Sequence, residues 1–553
     1  MRSYEIVTTD ILVIGGGGAA SRAAISASDA GADVVMSVKG KYGNCGSTSA
    51  AFAETTMITG APLDDESNES LYSDTFAAGM DLISPELLRI LVRDCGERVR
   101  DLEKFGLKLH RRVYDDIFSS GFAHSTPRTF IVESRLQHDI LRVLVNQVRA
   151  RPIKVLEQIQ IARLLGSDGR LVGALGVDRD NRPVLFKSAC VILAGGGAHG
   201  LYPHHPSTGD LIGDSFAMAY HAGLTMVNMD IIQMGPVGIR PIKRILSAPN
   251  WRLKPVLTNA LGNEFLQKYL PNDVSADEIF RIAEFPYTVR TPTKHLNWAI
   301  FTEIMEGRGG ETHSIWFDLT RLGTAAIREQ APFTYDTFKQ AGLDLAESKL
   351  PVSIGVQTFH GGCLINTRAA TELNGLFACG EAAGGLMGAE RPGGNALAEC
   401  QVFGNIAGLE SAASVGSVSM AGDDELCLIA EQVLDQTARE TDASFAYAGK
   451  AIQELMFESC LTIRNKEKLT STLNKLEELK TGSKKKSVGL RDQLSACNAL
   501  TAAELIVRAS LERRESRGCH YRSDYPNRDA AFDRPIVIRQ QNGKMQAGPE
   551  DLL

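Results

Sequence analysis

No Cys-x-x-Cys pair occurs in this sequence. Its ten cysteines stand apart, as Cys45, Cys95, Cys190, Cys363, Cys379, Cys400, Cys427, Cys460, Cys497 and Cys519. Ligand spacing for a structural zinc or an in-chain iron–sulfur cluster is therefore missing, and no metal site is predicted. Isolated thiols in a long chain read as a reduced, cytoplasmic protein. A basic excess is missing too: 59 Lys and Arg face 66 Asp and Glu, for a net charge of −7. Nothing in that balance suggests a nucleic-acid partner. No apolar run reaches the ~18 residues that would predict a transmembrane segment. The stretch Met1 to Asp10 lacks the basic and apolar regions of a signal peptide.

Glycine is what the chain has in excess, with 52 of 553 residues, against an average share of about 7%. Such an excess points to tight turns and close backbone approaches to a ligand. A chain this long predicts several domains. Ile11 to Ile14 is apolar and β-branched, as expected of a buried parallel strand. A glycine run follows, then Ala19 to Gly31 at helical spacing, then a second strand over Ala32 to Val38. Together these make a βαβ unit. Amphipathic helices are predicted over 83–107 and 134–150, and further strands of the same domain over Val172–Val177 and Ala189–Ala194. The span from about Met234 to Leu350 is proline-interrupted, carries its own strand at Ser314 to Leu319, and reads as an insertion. Glycine-rich turns return over 351–412, with a helix from Asn395, and 424–518 reads as helical. After Asp529 a short strand, Pro535 to Arg539, precedes a tail expected to be disordered. The predicted class is α/β, in four segments: 1–235 and 351–423 form a Rossmann-like dinucleotide-binding domain, 236–350 an α+β insertion, and 424–553 a helical domain with its tail.

The segment Val13-Ile-Gly15-Gly-Gly17-Gly18-Ala19-Ala20 lies between the first strand and its helix. Gly15 permits the tight turn, Gly17 removes a side chain where a pyrophosphate approaches, and Ala20 lets the helix pack close to the strand. The start of the helix offers N–H groups and partial positive charge to phosphates. The acidic residue that usually ends the second strand of an NAD dehydrogenase is absent, and Ser37-Val38-Lys39 stands there instead.

Four further segments follow in order: Leu193-Ala-Gly195-Gly196-Gly197; Thr208-Gly-Asp210 with Gly213-Asp214; Gly380-Glu381 with Arg391-Pro-Gly-Gly-Asn395-Ala396-Leu397; and Arg514-Glu515-Ser-Arg517-Gly518 with His520 and Asp524-Tyr-Pro526. Jointly they make the chain resemble the succinate dehydrogenase/fumarate reductase flavoprotein family, which includes L-aspartate oxidase and the adenylylsulfate reductase flavoprotein subunit. The resemblance implies an FAD domain, a mobile capping domain and a C-terminal helical domain. It implies that Glu381 meets the FAD ribose, that the turn Asn395-Ala396-Leu397 lies along the isoalloxazine, and that Ser47 and Thr48 face the flavin. It places Gly195, Gly196 and Asp214 in the same crevice. Members that hold FAD covalently do so through a His; Ser47 and Thr48 occupy that place here, so noncovalent FAD is implied.

The resemblance also implies catalytic positions, and several are altered. Arg391 matches the substrate-binding Arg, unless it only pairs with Glu390. The substrate His appears as Gln357, with His360 three residues on, free either to take over the role or simply to pack. The catalytic Arg of the cap appears as Thr293 with Lys294 beside it. A Lys there delivers a proton only if burial lowers its pKa; otherwise it is a helix cap. Gln233-Met-Gly-Pro236 replaces a Gln-x-His-Pro element. His204 and His205 either line the flavin entrance or lie on a loop surface, and His124 is a further candidate near the site. The changes predict an FAD-dependent oxidoreductase acting on a C–C or C–N bond of a small molecule other than succinate, fumarate or L-aspartate. Two alternatives stay open: the flavoprotein subunit of an electron-transfer complex, adenylylsulfate reductase-like, with an iron–sulfur or ferredoxin-type partner; or a catalytically degenerate flavin binder. A homo-oligomer is compatible with either.

Overall fold

The computed structural model describes residues 4–50, 57–60, 65–110, 125, 129–132, 139–167, 169–440, 443–481 and 489–552. His124 lies outside them. The fold is α/β. Strand β1 (Glu5–Ile14) runs parallel to β2 (Val34–Val38), with Leu12 opposite Val35. It also runs parallel to strand Pro183–Leu193, with Leu12 opposite Val191. Strand Ile153–Glu157 extends the parallel set beyond β2, and strand Leu376–Ala378 pairs with the end of Pro183–Leu193. Ile11, Leu12 and Val13 are fully buried, as expected of a strand covered on both faces.

Helix α1 (Gly18–Asp29) covers one face of this sheet and is itself buried from Gly18 to Ala27. Its small residues let helix Asn395–Ser414 cross it at backbone contact: a Cβ on Gly408 would lie 2.4 Å from the Ala23 carbonyl oxygen. The chain's two glycine-rich stretches, nearly 400 residues apart, are thereby pressed together.

The insertion has its own antiparallel sheet, in the order Arg244–Ile245, Ile232–Gly238, Leu350–Phe359, Ile315–Asp318, Val256–Thr258. The segment boundaries at 236 and 350 fall within its two long strands, where Pro236 lies opposite Ile354. These strands carry the insertion out from the parallel-sheet domain, and Gln233 and Gln357 on them line the crevice.

Four helices, Asp423–Glu440, Phe445–Cys460, Lys466–Thr481 and Leu490–Glu512, form the C-terminal region. The last is long and apolar enough by composition to cross a membrane, but 83% of its apolar window is buried inside the protein. The strand expected at Pro535 to Arg539 is present as Ile536–Gln541 and pairs with Met226–Val227, but the segment after it is ordered rather than disordered: Lys544–Pro549 returns as the second strand of a hairpin. Backbone pairing to an existing strand orders a segment whose side chains gave little sign of it.

Beneath this region lies a buried lattice of charge. Arg513 reaches Asp230 at 2.6 Å and Glu515 at 3.1 Å, and Glu515 holds Arg517 at 2.6 Å. All four side chains are fully enclosed. Burial pushes the Asp230 carboxyl up, but Arg513 and His520 outweigh it and hold it well below the usual carboxylate range. Asp230→Asn should therefore destabilise the fold by ~3–5 kcal/mol, because it strips a partner from an enclosed guanidinium. The urea midpoint is the readout, and an unchanged midpoint would show that Glu515 alone satisfies Arg513.

Candidate flavin and substrate site

β1 and Pro183–Leu193 end at the same sheet edge, and the loops after them diverge to open a crevice. Gly15 has φ +127°, and a Cβ there would lie 2.3 Å from the Ala194 carbonyl oxygen, so the first glycine is required by the fold itself. Gly17 is different. Its backbone is extended (φ −81°, ψ −168°), and a Cβ would meet nothing nearer than Thr48 Oγ1 at 3.6 Å. That space is open to a ligand. Gly17 is the N-cap of α1, no side chain caps the helix, and its first turn carries no acidic residue. Gly18 N–H donates to Thr48 Oγ1 at 3.0 Å. Helix Asn395–Ser414 starts in the same way, from Gly394 with no side-chain cap and no first-turn acid, and Gly393, Gly394, Ala396 and Leu397 line the same crevice. Two helix N-termini without a first-turn acid thus line one crevice, a fit for an anionic dinucleotide.

Lys39 donates to Asp214 Oδ2 at 2.7 Å and to the Asp210 carbonyl at 2.9 Å. Asp214 Oδ1 accepts from Gln160 at 3.0 Å and Asn498 at 2.7 Å. Lys39 therefore neutralises an acid that comes from another loop, at the wall where β2 lacks one. Ser37 donates to the Ile159 carbonyl at 3.2 Å, and Ser47 accepts from Ser207 at 3.0 Å. Glu381 accepts from Phe359 N–H (2.8 Å), Thr358 Oγ1 (2.9 Å) and Gly197 N–H (3.1 Å). It lines the crevice, with acceptor capacity left for a hydroxyl donor.

At the cap end the lining is Gln233, Ser247, Glu284, Phe285, Gln357 and Arg391. Arg391 is 8% exposed. Its Nε and Nη2 donate to Gln233 Oε1 at 3.1 and 2.9 Å, and Nη1 donates to the Pro392 carbonyl at 3.0 Å. Burial pulls its pKa down to about 10, which leaves it cationic at neutral pH. Glu390 pairs instead with Arg290, at 2.9 Å. Among the described residues no carboxylate pairs with Arg391. Gln233 Nε2, Gln357 Oε1 and Ser247 Oγ are buried without hydrogen-bond partners there as well. An enclosed cation among unsatisfied neutral dipoles is a receptor for an anionic group.

Residues 10–397 match the FAD binding domain family, and 449–547 match the fumarate reductase flavoprotein C-terminal family. The chain belongs to the fumarate reductase flavoprotein family. It is 31% identical to a fumarate reductase (CoM/CoB) subunit of Methanothermobacter marburgensis, over 97% of this chain and 98% of that one. It is 29% identical to the L-aspartate oxidase of Caulobacter vibrioides, over 97% of each. Its fold superimposes on an E. coli quinol fumarate reductase FrdA variant with a TM-score of 0.83, at 24% identity, covering 99% of this chain and 97% of that one. The protein is an FAD-dependent oxidoreductase of this family. The expectation that the altered pocket excludes fumarate, succinate and L-aspartate finds no support here, since relatives named for fumarate and L-aspartate are among these.

Within this fumarate reductase family fold, the predicted cofactor positions Gly15, Gly17, Gly18, Ala19, Ser37, Lys39, Ser47, Thr48, Gly195, Gly196, Asp214, Glu381, Ala396 and Leu397 all line the crevice. Ala20 does not; it is fully buried, as its packing role requires. The side chain of Asn395 is also turned away, accepting from Thr59 Oγ1 at 2.7 Å and donating to Thr75 Oγ1 at 3.3 Å. Gln401 is absent from the predicted set. It is 1% exposed, neither amide atom has a partner, and a Cβ on Gly18 would lie 3.7 Å from its Nε2. Glu284 and Ser247 also escaped notice, because nothing in their neighbours' spacing marks them.

Of the catalytic candidates, Arg391 and Gln357 line the crevice, and His360 and Lys294 do not. His360 Nδ1 bonds the Gly388 carbonyl at 2.9 Å, and burial with Arg391 nearby pulls its pKa down to about 3. It is a neutral packing residue behind Arg391. Lys294 donates to the Val289 carbonyl at 2.9 Å and sits over the Trp298 ring at 5.5 Å, so its ammonium is held at the start of helix Lys294–Glu303 without capping it. Lys294→Ala should therefore leave turnover within about threefold of the parent, at a stability cost of about 1 kcal/mol or less. A steady-state rate reduced more than tenfold would return Lys294 to the site. His204 and His205 are neither at the crevice nor on the surface; they are 8% and 3% exposed, and burial lowers their pKa values to about 4 and about 2.

Proposed function

We propose that this flavoprotein transfers a hydride to or from a C–C bond adjacent to a carboxylate, in a small acid whose other end is uncharged. One observation carries the reading: Arg391 is an enclosed cation with no carboxylate partner among the described residues, and its neighbours in the crevice are neutral amides and a hydroxyl. Arg391 would take the substrate carboxylate bidentately while Gln233 fixes its guanidinium plane. Gln233 Nε2, Gln357 Oε1 and Ser247 Oγ would meet the neutral end. Bound FAD supplies the hydride chemistry. The residues present fit it noncovalently, since Ser47 and Thr48 are bonded within the loops and no histidine is among the described lining residues. The test is reoxidation of the reduced holoprotein by a panel of enoic monoacids, fumarate and imino acids. Faster reoxidation by a monoacid is the expected result; fumarate or iminosuccinate outpacing every monoacid overturns the reading.

A second reading concerns electron supply. Relatives are named as subunits, among them the Methanothermobacter protein and the fumarate reductase flavoprotein subunit of Proteus vulgaris. We infer that this chain, too, receives electrons from an iron–sulfur or ferredoxin-type protein, in a reducing cytoplasmic setting that suits its ten cysteines, which stand apart in the sequence. Anaerobic affinity purification from the native source should bring down an iron-containing partner in stoichiometric amount; a homogeneous, iron-free chain fully active with soluble donors would rule this out.

A further inference from the structure

Glu284 stands in the cap wall of the crevice, on the segment that precedes the cap helix Lys294–Glu303. It is 6% exposed. Its Oε2 accepts from Ala248 N–H at 2.8 Å and its Oε1 from Phe285 N–H at 3.1 Å, so the carboxyl is fixed at both oxygens by main chain. The next residue, Phe285, is wedged under the strand Ile232–Gly238, where a Cβ on Gly235 would lie 2.5 Å from its ring. The acid therefore cannot swing away. Among the described residues five carboxyl side chains line the crevice: Asp210, Asp214, Glu284, Glu381 and Glu399. Asp214 is bound to Lys39, and the Asp210 carbonyl receives the same Lys39. Glu381 accepts three hydrogen bonds on the FAD-domain side, and Glu399 accepts from Gly380 N–H on helix Asn395–Ser414. Of these five described residues, only Glu284 comes from the cap.

A reduced C–C bond needs a proton on the carbon beside the one that accepts hydride, and the place where the family resemblance puts a cap Arg holds Thr293, bonded to Thr291 at 2.7 Å. We propose that Glu284 is the acid that protonates that second carbon, an assignment that rests on the function proposed above. In the reducing direction the substrate's C=C π bond breaks and two C–H bonds form. One carbon takes a hydride, carrying both electrons, from reduced flavin held by the FAD domain. The other takes the Glu284 proton from the cap wall, and Glu284 is left as a carboxylate that regains its proton from water.

The electrostatics suit the role. Burial pushes the Glu284 carboxyl up to about 7, against the opposing effect of its two N–H partners and of Arg252. Among the described residues, Tyr287 from the same segment and Arg252 are the titratable groups that interact with it. The acid is thus protonated below neutrality and its donating form is lost as pH rises through about 7.

The test uses FAD-loaded Glu284→Gln. Reoxidation of its reduced flavin by the preferred acid should slow by at least ~100-fold, the usual contribution of a positioned general acid. Reoxidation by ferricyanide, which needs no carbon-bound proton, should be unchanged, as should the dissociation constant of the acid and the FAD content. The parent's rate should fall as pH rises through about 7, and the variant's profile should be flat there. The infrared difference spectrum of parent minus variant should show a protonated-carboxyl band that fades over the same window. Should Glu284→Gln fail to load FAD, Glu284→Asp replaces it, with partial rate and a retained pH limb expected. A variant rate within about threefold of the parent, or no infrared band, overturns the assignment. If no acid reoxidises the parent, the proposed substrate class falls; the band then decides Glu284 by itself, its presence supporting a protonated acid at this wall and its absence ending the assignment.

Discussion

Gly17→Leu is expected to give a folded protein that is colourless. The backbone at Gly17 is extended, so any residue adopts it without strain, and the first side-chain carbon would meet only Thr48 Oγ1 at 3.6 Å. The remaining atoms of a leucine would then lie in the space where the start of α1 offers its N–H groups. FAD occupancy should fall below about a tenth of the parent's, a loss of more than ~1.4 kcal/mol in binding and in practice several times that once the pyrophosphate contacts go. Flavin absorbance per mole of protein measures it, with circular dichroism reporting the fold. Gly15→Ala is the contrasting control. At φ +127°, and 2.3 Å from the Ala194 carbonyl oxygen, a Cβ forces strand ends apart, so that variant should lose stability by ~1–3 kcal/mol from strain alone. A Gly17→Leu protein with full FAD occupancy would show that the phosphates do not lie at the start of α1.

Arg391→Gln should keep FAD and lose turnover by about 10³-fold, some 4 kcal/mol, as expected when the one enclosed charge that holds a substrate carboxylate is removed. Arg391→Lys should recover only part of it, because a point charge cannot reproduce two parallel hydrogen bonds. The parent's pH profile should also carry a basic limb. Burial lowers the Arg391 pKa to about 10, so substrate binding weakens as pH rises through that value, and the limb should vanish in Arg391→Gln. Stability runs the other way. Between about 10 and the ordinary arginine pKa the unfolded chain holds the proton that the folded one has lost, so stability rises with pH across that window. Taking the buried charge away should accordingly leave the apoprotein as stable as the parent or more so, a trade of stability for function. Thermal melts with and without the substitution check this; a variant that melts well below the parent would make Arg391 a structural residue.

The nucleotide cradle was legible because its determinants are local. A β-branched strand, four glycines and an alanine-rich helix fall within one βαβ unit, and each acts on its immediate neighbours. Lys294 was misleading for the opposite reason. A lysine beside the position of a catalytic arginine looks like a replacement in sequence, but its ammonium folds back five residues to the Val289 carbonyl. His360 misled likewise: the side chain next to a Gly-Gly turn is enclosed, and desolvation keeps it uncharged. In the tail the first strand was legible at Pro535 to Arg539, but its return strand Lys544–Pro549 was missed, because it is ordered by pairing with Ile536–Gln541, itself anchored on Met226–Val227 more than 300 residues away.

By itself the sequence determined that this chain builds a Rossmann-like cradle and carries a second glycine turn before Asn395. Only the tertiary structure decided which charges remain available. Lys39 is spent on Asp214, Arg290 on Glu390 and Arg513 on Asp230, which leaves Arg391 as a crevice cation that no carboxylate pairs with among the described residues. Charge pairing depends on distances of a few ångströms between residues 100 or more positions apart, and desolvation depends on everything that encloses them; neither quantity exists until the chain has folded.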